Sequence, residues 1–149
     1  MNPQRLYLVQ TDTTAGFLSG DPFKIARAKK RDPRQPLLLC VDTLAKQKQL
    51  VRTPALHKKR IRRAQKITFI YADHPQTPAI RIVRDERHAR FLSKFDFLYS
   101  SSANETGKPF DYETAANEAD VILFEPCGFF QGRASSIIKI GKRSLKRVR

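Results

Sequence analysis

Three short polar stretches carry residue types that could hold an anionic or amino-acid ligand. The longest, at 100–109, reads Ser-Ser-Ser-Ala-Asn-Glu-Thr-Gly-Lys-Pro and follows an apolar run at 95–99. The other two are Thr11-Asp12-Thr13 near the start and Lys29-Lys30-Arg31. Strand ends are where α/β proteins place ligand contacts, and hydroxyls, a carboxamide and cations there suit phosphate oxygens or the polar groups of an amino acid. Taken singly, each stretch is more typical of a solvated loop or a helix end.

Alternating apolar and polar segments predict the elements that position these stretches. Helix-capping Asp and Thr residues and apolar patterning predict helices at 22–28, 43–50, 54–64, 85–93 and 111–119. Short apolar runs predict strands at 5–10, 37–41, 67–71, 79–83, 95–99, 121–124, 136–140 and 145–148. The alternation favours an α/β (α+β) fold, a single domain over 1–149 with a twisted mixed sheet flanked by helices and a basic end at 139–149.

Length and composition restrict the class of protein. A chain of 149 residues with 40% hydrophobic content can bury a core and is not generally disordered. It has no membrane-length apolar run and no signal-peptide pattern at its start, so a cytoplasmic location is expected. Cys40 and Cys127 lie in or beside apolar runs and are expected to be buried thiols. His57, His74 and His88 have no metal or triad spacing and are expected to be surface residues, so no metal site or catalytic residue is assigned.

The charge of the chain is unusual. There are 29 Lys and Arg against 14 Asp and Glu, a formal net charge of +15, and the excess comes from blocks at 46–66 and 139–149. Such blocks indicate a polyanion partner, most simply RNA, or a solvated surface. The helix predicted at 54–64 offers the candidate RNA contacts, namely Lys58, Lys59, Arg60, Arg62 and Arg63. No aromatic stacking motif is interleaved with these charges.

The three polar stretches, in this order, resemble the motifs of the YrdC-like family. Residues 10–18, Gln-Thr-Asp-Thr-Thr-Ala-Gly-Phe-Leu, stand where the family has Pro-Thr-Asp-Thr-x-Tyr-Gly-Leu, so the family tyrosine is Ala15 here. Lys29 and Arg31, with Pro36-Leu37, match its Lys-x-Arg element. Ser102 and Asn104, with Gly107 and Pro109, match its Ser-x-Asn loop, and Ser135-Ser136-Ile137-Ile138 resembles its Ser-Thr-Ile-Val. The resemblance runs from about Leu8 to Ile138.

The resemblance implies an activity and a set of ligands. It implies a nucleotidyltransferase, threonylcarbamoyl-AMP synthase. This enzyme joins L-threonine, bicarbonate or CO2, and ATP, with Mg²⁺, into threonylcarbamoyl-AMP and pyrophosphate, the first step in the modification of tRNA adenosine 37. A basic concave cleft lined by the three motifs is expected. ATP would contact Lys29, Arg31, Ser102 and Asn104, and threonine would contact Thr13, Arg81 and Ser135. The alternative is a non-catalytic YrdC-like protein that binds tRNA or double-stranded RNA, and other tRNA-modification proteins are possible partners.

Overall fold

Apolar segments separated by capping and turn residues fold into nine strands and five α-helices in the computed structural model, which describes residues 1–149. The strands are β1 Tyr7–Gln10, β2 Ala15–Ser19, β3 Leu38–Val41, β4 Ile67–Tyr71, β5 Ala79–Ile82, β6 Leu98–Ser102, β7 Val121–Ile122, β8 Ser136–Ile140 and β9 Leu145–Arg147. The helices are α1 Pro22–Ala28, α2 Leu44–Leu50, α3 Lys58–Arg63, α4 Glu86–Leu92 and α5 Tyr112–Glu118. The chain divides into two compact units, and we call Met1–Leu37 with Leu98–Arg133 unit 1 and Leu38–Phe97 with Ala134–Arg149 unit 2.

Unit 1 is built on a mixed sheet in the order β7-β1-β2-β6. β1 pairs antiparallel with β2, β2 pairs antiparallel with β6, and β7 runs parallel to β1. Helix α1 packs on β2 and β6. The apolar core comprises Leu6, Leu8, Ala15, Phe17, Ile25, Ala28, Ala103 and Ala115. Burial of this apolar surface is the main stabilising contribution, and it fixes the ends of α1 and β6 next to each other.

Unit 2 is built on a second set of strands in the order β3-β5-β4-β8-β9. β3 runs parallel to β5 and β4 runs parallel to β8, whereas the β4–β5 and β8–β9 pairs are antiparallel. The core comprises Val41, Val51, Ile61, Phe69, Tyr71, Ile80, Ile82, Ile138 and Ile140. Both units therefore combine a mixed sheet with flanking helices, and the mixed α/β fold class that the sequence predicts is confirmed.

Four helices begin at the capping residues that the sequence predicts. The side chains of Asp21, Thr43, Asp85 and Asp111 each accept a hydrogen bond from a backbone N–H in the first turn of the following helix. Such caps satisfy donors that have no partner inside the helix. No helix of the chain has the combination of length and apolar character needed to span a membrane.

Several sequence-based expectations are wrong in detail. Strand β2 was not predicted, because its residues Ala-Gly-Phe-Leu-Ser are all buried and show neither the alternation nor the β-branched content typical of a strand. The serines at 100–102 lie inside β6 rather than after it, because they pair with β2. The segment 54–64 forms a 3₁₀ turn at Ala55–His57 before α3, because the His57 N–H bonds to the Pro54 carbonyl three residues earlier.

Two side chains also differ from expectation in their exposure. Cys40 is a buried free thiol as predicted, but Cys127 is exposed, because it lies in a turn closed by the Gly128 N–H and the Glu125 carbonyl. His88, expected at the surface, is only 1% exposed because it lies on the inward side of α4 with Phe91 and Leu92.

Candidate functional site

The end of helix α1 places two cations of unit 1 beside the end of β6. The Lys30 N–H bonds to the Arg27 carbonyl at 3.0 Å and the Arg31 N–H to the Ala26 carbonyl at 3.1 Å, which is the Schellman pattern of helix termination. Lys30 takes the left-handed position with φ of 48°, where glycine is usual. This turn ends α1 at Ala28, with Lys29 as the C-cap residue and Arg31 two residues beyond it.

Lys29 is buried and ties the end of α1 to the end of β6. Lys29 is only 4% exposed, and Nζ donates to the carbonyl oxygens of Ser102 at 2.7 Å and Asn104 at 2.6 Å. The Ser102 hydroxyl oxygen lies 3.4 Å from the same Nζ. Burial, followed by the nearby Arg31 guanidinium, lowers the pKa of Lys29 from 10.5 to about 8. Three of the four predicted ATP contacts are therefore in direct contact with one another.

Arg31 offers hydrogen-bond donors that the protein does not use. Its Nε and Nη2 atoms are buried and have no hydrogen-bond partner, and burial lowers the pKa of the guanidinium. The Oδ1 atom of Asn104 is likewise buried without a partner, while its Nδ2 donates to the Glu105 and Lys108 carbonyls. Buried polar atoms are nearly always paired in folded proteins, so the two guanidinium donors indicate a place for an oxyanion ligand.

The loop after β6 is held against the end of α1 by ion pairs. The Glu105 carboxylate pairs with Lys30 and with Lys108, and their hydrogen bonds lower the pKa of Glu105 to about 2. The Thr106 N–H also donates to the Lys29 carbonyl at 3.3 Å. Gly107, with φ of 82°, sits in the turn closed by the Lys108 N–H and the Glu105 carbonyl, a conformation that suits glycine. The Glu105 carboxyl is therefore ionised at neutral pH, where both ion pairs are formed.

The threonine turn between β1 and β2 is a closed hydrogen-bond network in unit 1. The Thr11 hydroxyl donates to the Thr14 carbonyl at 2.7 Å and accepts from the backbone N–H groups of Thr13 and Thr14 at 3.2 Å. The Thr13 hydroxyl lies 3.1 Å from that of Thr11, and its side chain is buried. A Cβ on Gly132 would come 2.2 Å from the Thr13 carbonyl oxygen, so the chain at 130–132 packs directly on this turn.

Unit 2 holds the other two residues that the resemblance assigns to threonine. Arg81 is buried on β5, and Ser135 is buried immediately before β8. The Ser135 hydroxyl lies 3.1 Å from that of Thr68, on the neighbouring strand β4. The Ser135 carbonyl accepts from Arg149 Nε at 3.2 Å and from Nη2 at 3.1 Å. A residue near the end of the chain thus fixes the backbone at Ser135.

The five candidate RNA contacts all lie on α3 and are exposed, as a basic surface helix predicts. No group of three or more His, Cys, Asp or Glu side chains could hold a metal ion.

Sequence reasoning missed the Glu105 ion pairs and the pairing of Thr68 with Ser135. A carboxylate three residues before Lys108 was the visible signal for the first, and nothing local signals the second.

The chain is similar to a known protein family and to several solved structures. The Sua5/YciO/YrdC family model, described as "Telomere recombination", matches residues 21–149. A variant of P. abyssi Sua5 superposes with a TM-score of 0.79 at 18% identity, covering 98% of this chain and 52% of that one. P. abyssi Sua5 complexed with L-threonine gives 0.75 at 19% identity, with 98% and 50% covered. This chain thus spans about half the length of those Sua5 chains.

Two further relatives extend the comparison. MTH1692 from Methanobacterium thermoautotrophicum gives a TM-score of 0.70 at 20% identity, covering 98% of this chain and 80% of that one. Full-length HypF in its phosphate- and nucleotide-bound form gives 0.74 at 17% identity, with 98% and 27% covered. No curated protein matches the sequence. At these identities the structures show a shared fold, and the family model covers most of the chain. The chain therefore belongs to the Sua5/YciO/YrdC family.

Proposed function

We propose that this chain is an L-threonylcarbamoyladenylate synthase acting in the modification of tRNA adenosine 37. The observation that carries the proposal is the pair of cations at the end of α1, where buried Lys29 stands beside an Arg31 guanidinium with two unpartnered, buried N–H donors. The ligands named for the similar structures, L-threonine for P. abyssi Sua5 and a nucleotide with phosphate for HypF, support the same assignment.

The reaction needs fixed positive charge more than a strong base. A carbamate oxygen, formed from threonine and CO2 or bicarbonate, attacks the α-phosphorus of ATP; the new O–P bond forms as the bond to the bridging oxygen breaks, and pyrophosphate leaves with the electron pair. Arg31 would bind phosphate oxygens in bidentate fashion, and Lys29 would add charge beside it. The Ser102 hydroxyl and the Asn104 amide would orient the ligand at the same edge.

Mg²⁺ fits this site only as part of the substrate. No three acidic or His side chains are grouped to hold a metal, and the nearby Glu105 is already paired with two lysines. Mg²⁺ commonly binds through substrate phosphates and keeps several waters, so here it would enter on ATP and neutralise charge on the leaving pyrophosphate.

The threonine contacts are part of the same proposal. Arg81 would bind the threonine carboxylate, because a guanidinium matches a carboxylate with two parallel hydrogen bonds. The Ser135 and Thr13 hydroxyls would bind the other polar groups of the amino acid. Arg149 holds the backbone carbonyl of Ser135, and the Thr68 hydroxyl pairs with the Ser135 hydroxyl; both contacts support a positioning function for that serine.

Pyrophosphate release tests the proposal. Purified protein with ATP, Mg²⁺ and bicarbonate should release pyrophosphate only when L-threonine is present. Arg31→Ala should lower kcat/KM by about ten- to a hundredfold, because a hydrogen bond to a charged group contributes about 1.5–3 kcal/mol. Arg34→Ala is the matched control: Arg34 is three residues away, its side chain is 91% exposed, and it pairs with Asp32.

Two outcomes would contradict the proposal. Equal turnover by the Arg31 and Arg34 variants would remove the assigned role of Arg31. If the unmodified protein neither released pyrophosphate nor bound ATP, the non-catalytic alternative would take its place. That alternative, binding of tRNA or double-stranded RNA, is favoured by one specific observation, the charge of unit 2, which has twenty Lys and Arg residues against five Asp and Glu.

A further inference from the structure

Phe130 is fixed by its backbone to both ends of the threonine turn in unit 1. Its N–H donates to Gln10 Oε1, and its carbonyl accepts from the Ala15 N–H, both at 2.9 Å. Thr14 and Gln131 form an antiparallel bridge beside these contacts. Both backbone polar groups of Phe130 therefore have partners at the turn, which sets the position of the residue relative to the turn.

The ring of Phe130 lies on the same side of its segment as the Thr13 carbonyl. A Cβ on Gly132 would come 3.3 Å from Phe130 Cε2 and 2.2 Å from the Thr13 carbonyl oxygen. The ring edge and the Thr13 backbone thus border the same small space, which a glycine leaves open. Phe130 is nevertheless 53% exposed, so part of the ring beside Thr13 faces solvent.

The preceding residue, Phe129, has a different surrounding. Its ring stacks on that of Tyr112 with the centroids 5.5 Å apart, and it packs against the core of unit 1. Successive side chains along an extended segment point to opposite faces. Phe129 therefore contributes to core packing, whereas Phe130 presents an apolar side chain that the core does not use.

The two residues that hold the Phe130 backbone stand where the turn departs from the family motif. The motif has proline and tyrosine at the positions of Gln10 and Ala15. A proline side chain has no acceptor for the Phe130 N–H. Ala15 is 1% exposed and belongs to the core of unit 1. The turn thus has no aromatic side chain of its own at this position, and an aromatic ring lies beside it from Phe130.

We propose that Phe130 determines amino-acid specificity by packing against the side chain of the amino-acid substrate. The inference rests on the proposed synthase function, in which Thr13 binds a polar group of the amino acid. Threonine carries a methyl group next to a hydroxyl, and a hydroxyl-bearing turn beside an apolar ring matches that pair of groups. The ring should favour threonine over serine by about tenfold, since one carbon in an apolar contact gives about 10- to 200-fold discrimination.

Pyrophosphate release at varied concentrations of L-threonine or L-serine tests the inference. Phe130→Ala should raise KM for threonine about tenfold and reduce the preference for threonine over serine. KM for ATP should not change, because the ATP phosphates are assigned to Lys29 and Arg31. Phe130→Tyr keeps the ring and should behave as the unmodified protein. Phe124→Ala is the matched control, since it removes an aromatic side chain of unit 1 that is 89% exposed and lies after β7.

A second variant tests the way in which the ring is held. Gln10→Leu removes the acceptor of the Phe130 N–H but keeps the ring. It should raise KM for threonine less than Phe130→Ala does, and it should add nothing when combined with Phe130→Ala, because its effect acts through the ring. Additive effects in the double variant would overturn the positioning of the ring by Gln10.

Calorimetric titration with L-threonine in the absence of ATP separates this inference from the proposed function. Threonine-dependent turnover with the same threonine KM in the unmodified protein and Phe130→Ala would overturn the inference and leave the synthase proposal standing. Threonine binding that Phe130→Ala weakens, without turnover by the unmodified protein, would support the contact and overturn the synthase proposal. Absence of both turnover and threonine binding would overturn both.

Discussion

At the scale of single residues, two effects on the Lys29 ammonium group oppose each other. Its ammonium group is buried, which disfavours the charged form, yet it supplies the hydrogen bonds that join the end of α1 to the Ser102 and Asn104 carbonyls. Arg31 next to it adds repulsion. Lys29 thus holds the site together, while Arg31, with its unused donors, is the better placed of the two to meet a ligand.

The lowered pKa of Lys29 predicts that stability changes with pH. Between the folded pKa of about 8 and the unfolded value of 10.5, the unfolded chain binds more protons than the native protein. The stability of the unmodified protein should therefore rise with pH through this window, and below about pH 8 the contribution should be constant. Relative to Lys29→Met, the free energy of unfolding in urea should increase between about pH 7 and about pH 9.5.

The comparison of variants isolates this one group, since other titrations affect both proteins equally. Lys48→Met, at an exposed position on α2, controls for the loss of a lysine and should show no such trend against the unmodified protein. A stability difference between unmodified protein and Lys29→Met that stays constant over the pH range would contradict the assigned burial of the ammonium group.

At the scale of elements, local signals explain most of what the sequence predicts. The boundaries of α1, α2, α4 and α5 follow from capping side chains, which act within a few residues. Strand β2 was missed because it has no β-branched residue and no polar alternation, and it is ordered by its partners on both sides, β1 and β6. Strand β7 is shorter than predicted because only Val121 and Ile122 pair with β1.

The part of the candidate site that the sequence predicted is the set of motif residues that contact one another. Lys29 contacts Ser102 and Asn104, which lie more than seventy residues later in the chain. The resemblance implied that these residues share one site, and no local pattern could have predicted it. The left-handed Lys30 was not foreseen, because glycine is the usual signal for that turn. The double ion pair of Glu105 was missed because one partner, Lys30, is remote in sequence.

Lys139 on β8 lies directly opposite Lys146 on β9, and this opposed pair predicts a trade between stability and binding. Lys139→Glu would place a carboxylate opposite Lys146 and replace repulsion by attraction. We expect the variant to be more stable by about 0.5–1 kcal/mol and to bind an RNA duplex more weakly. Urea unfolding and anisotropy measure the two effects on the same preparation. Lys94→Glu, which makes the same charge change at an exposed position with no opposed lysine, is the control, and equal stabilisation by both variants would contradict the local origin of the effect.

At the scale of the whole molecule, the fold brings together basic segments that are far apart in the sequence. The sequence shows two basic blocks, but their junction depends on the parallel pairing of β4 with β8 and on the His57–Ser144 contact, both long-range. The sequence therefore indicated a polyanion partner and the predicted helix at 54–64 as its contact, but not that the second basic block lies beside that helix. Unit 1 has no net charge, so the proposed polyanion partner of unit 2 is distinct from the ligand proposed for the cation pair at the end of α1.

The same distribution of charge predicts that salt concentration changes the local stability of unit 2 more than that of unit 1. Mutual repulsion of the cations should open α3 and the β8–β9 hairpin more often at low ionic strength, and screening should reduce that opening. Hydrogen exchange should therefore slow in these elements between about 0.01 M and about 0.15 M salt, whereas exchange in α1, β1 and β2 should change little. At the low salt concentration, a saturating RNA duplex should produce the same protection of α3 and the hairpin. An equal change in both units would show that salt acts through a general effect on the chain, because only unit 2 carries a net charge, with twenty Lys and Arg against five Asp and Glu, whereas unit 1 has nine of each.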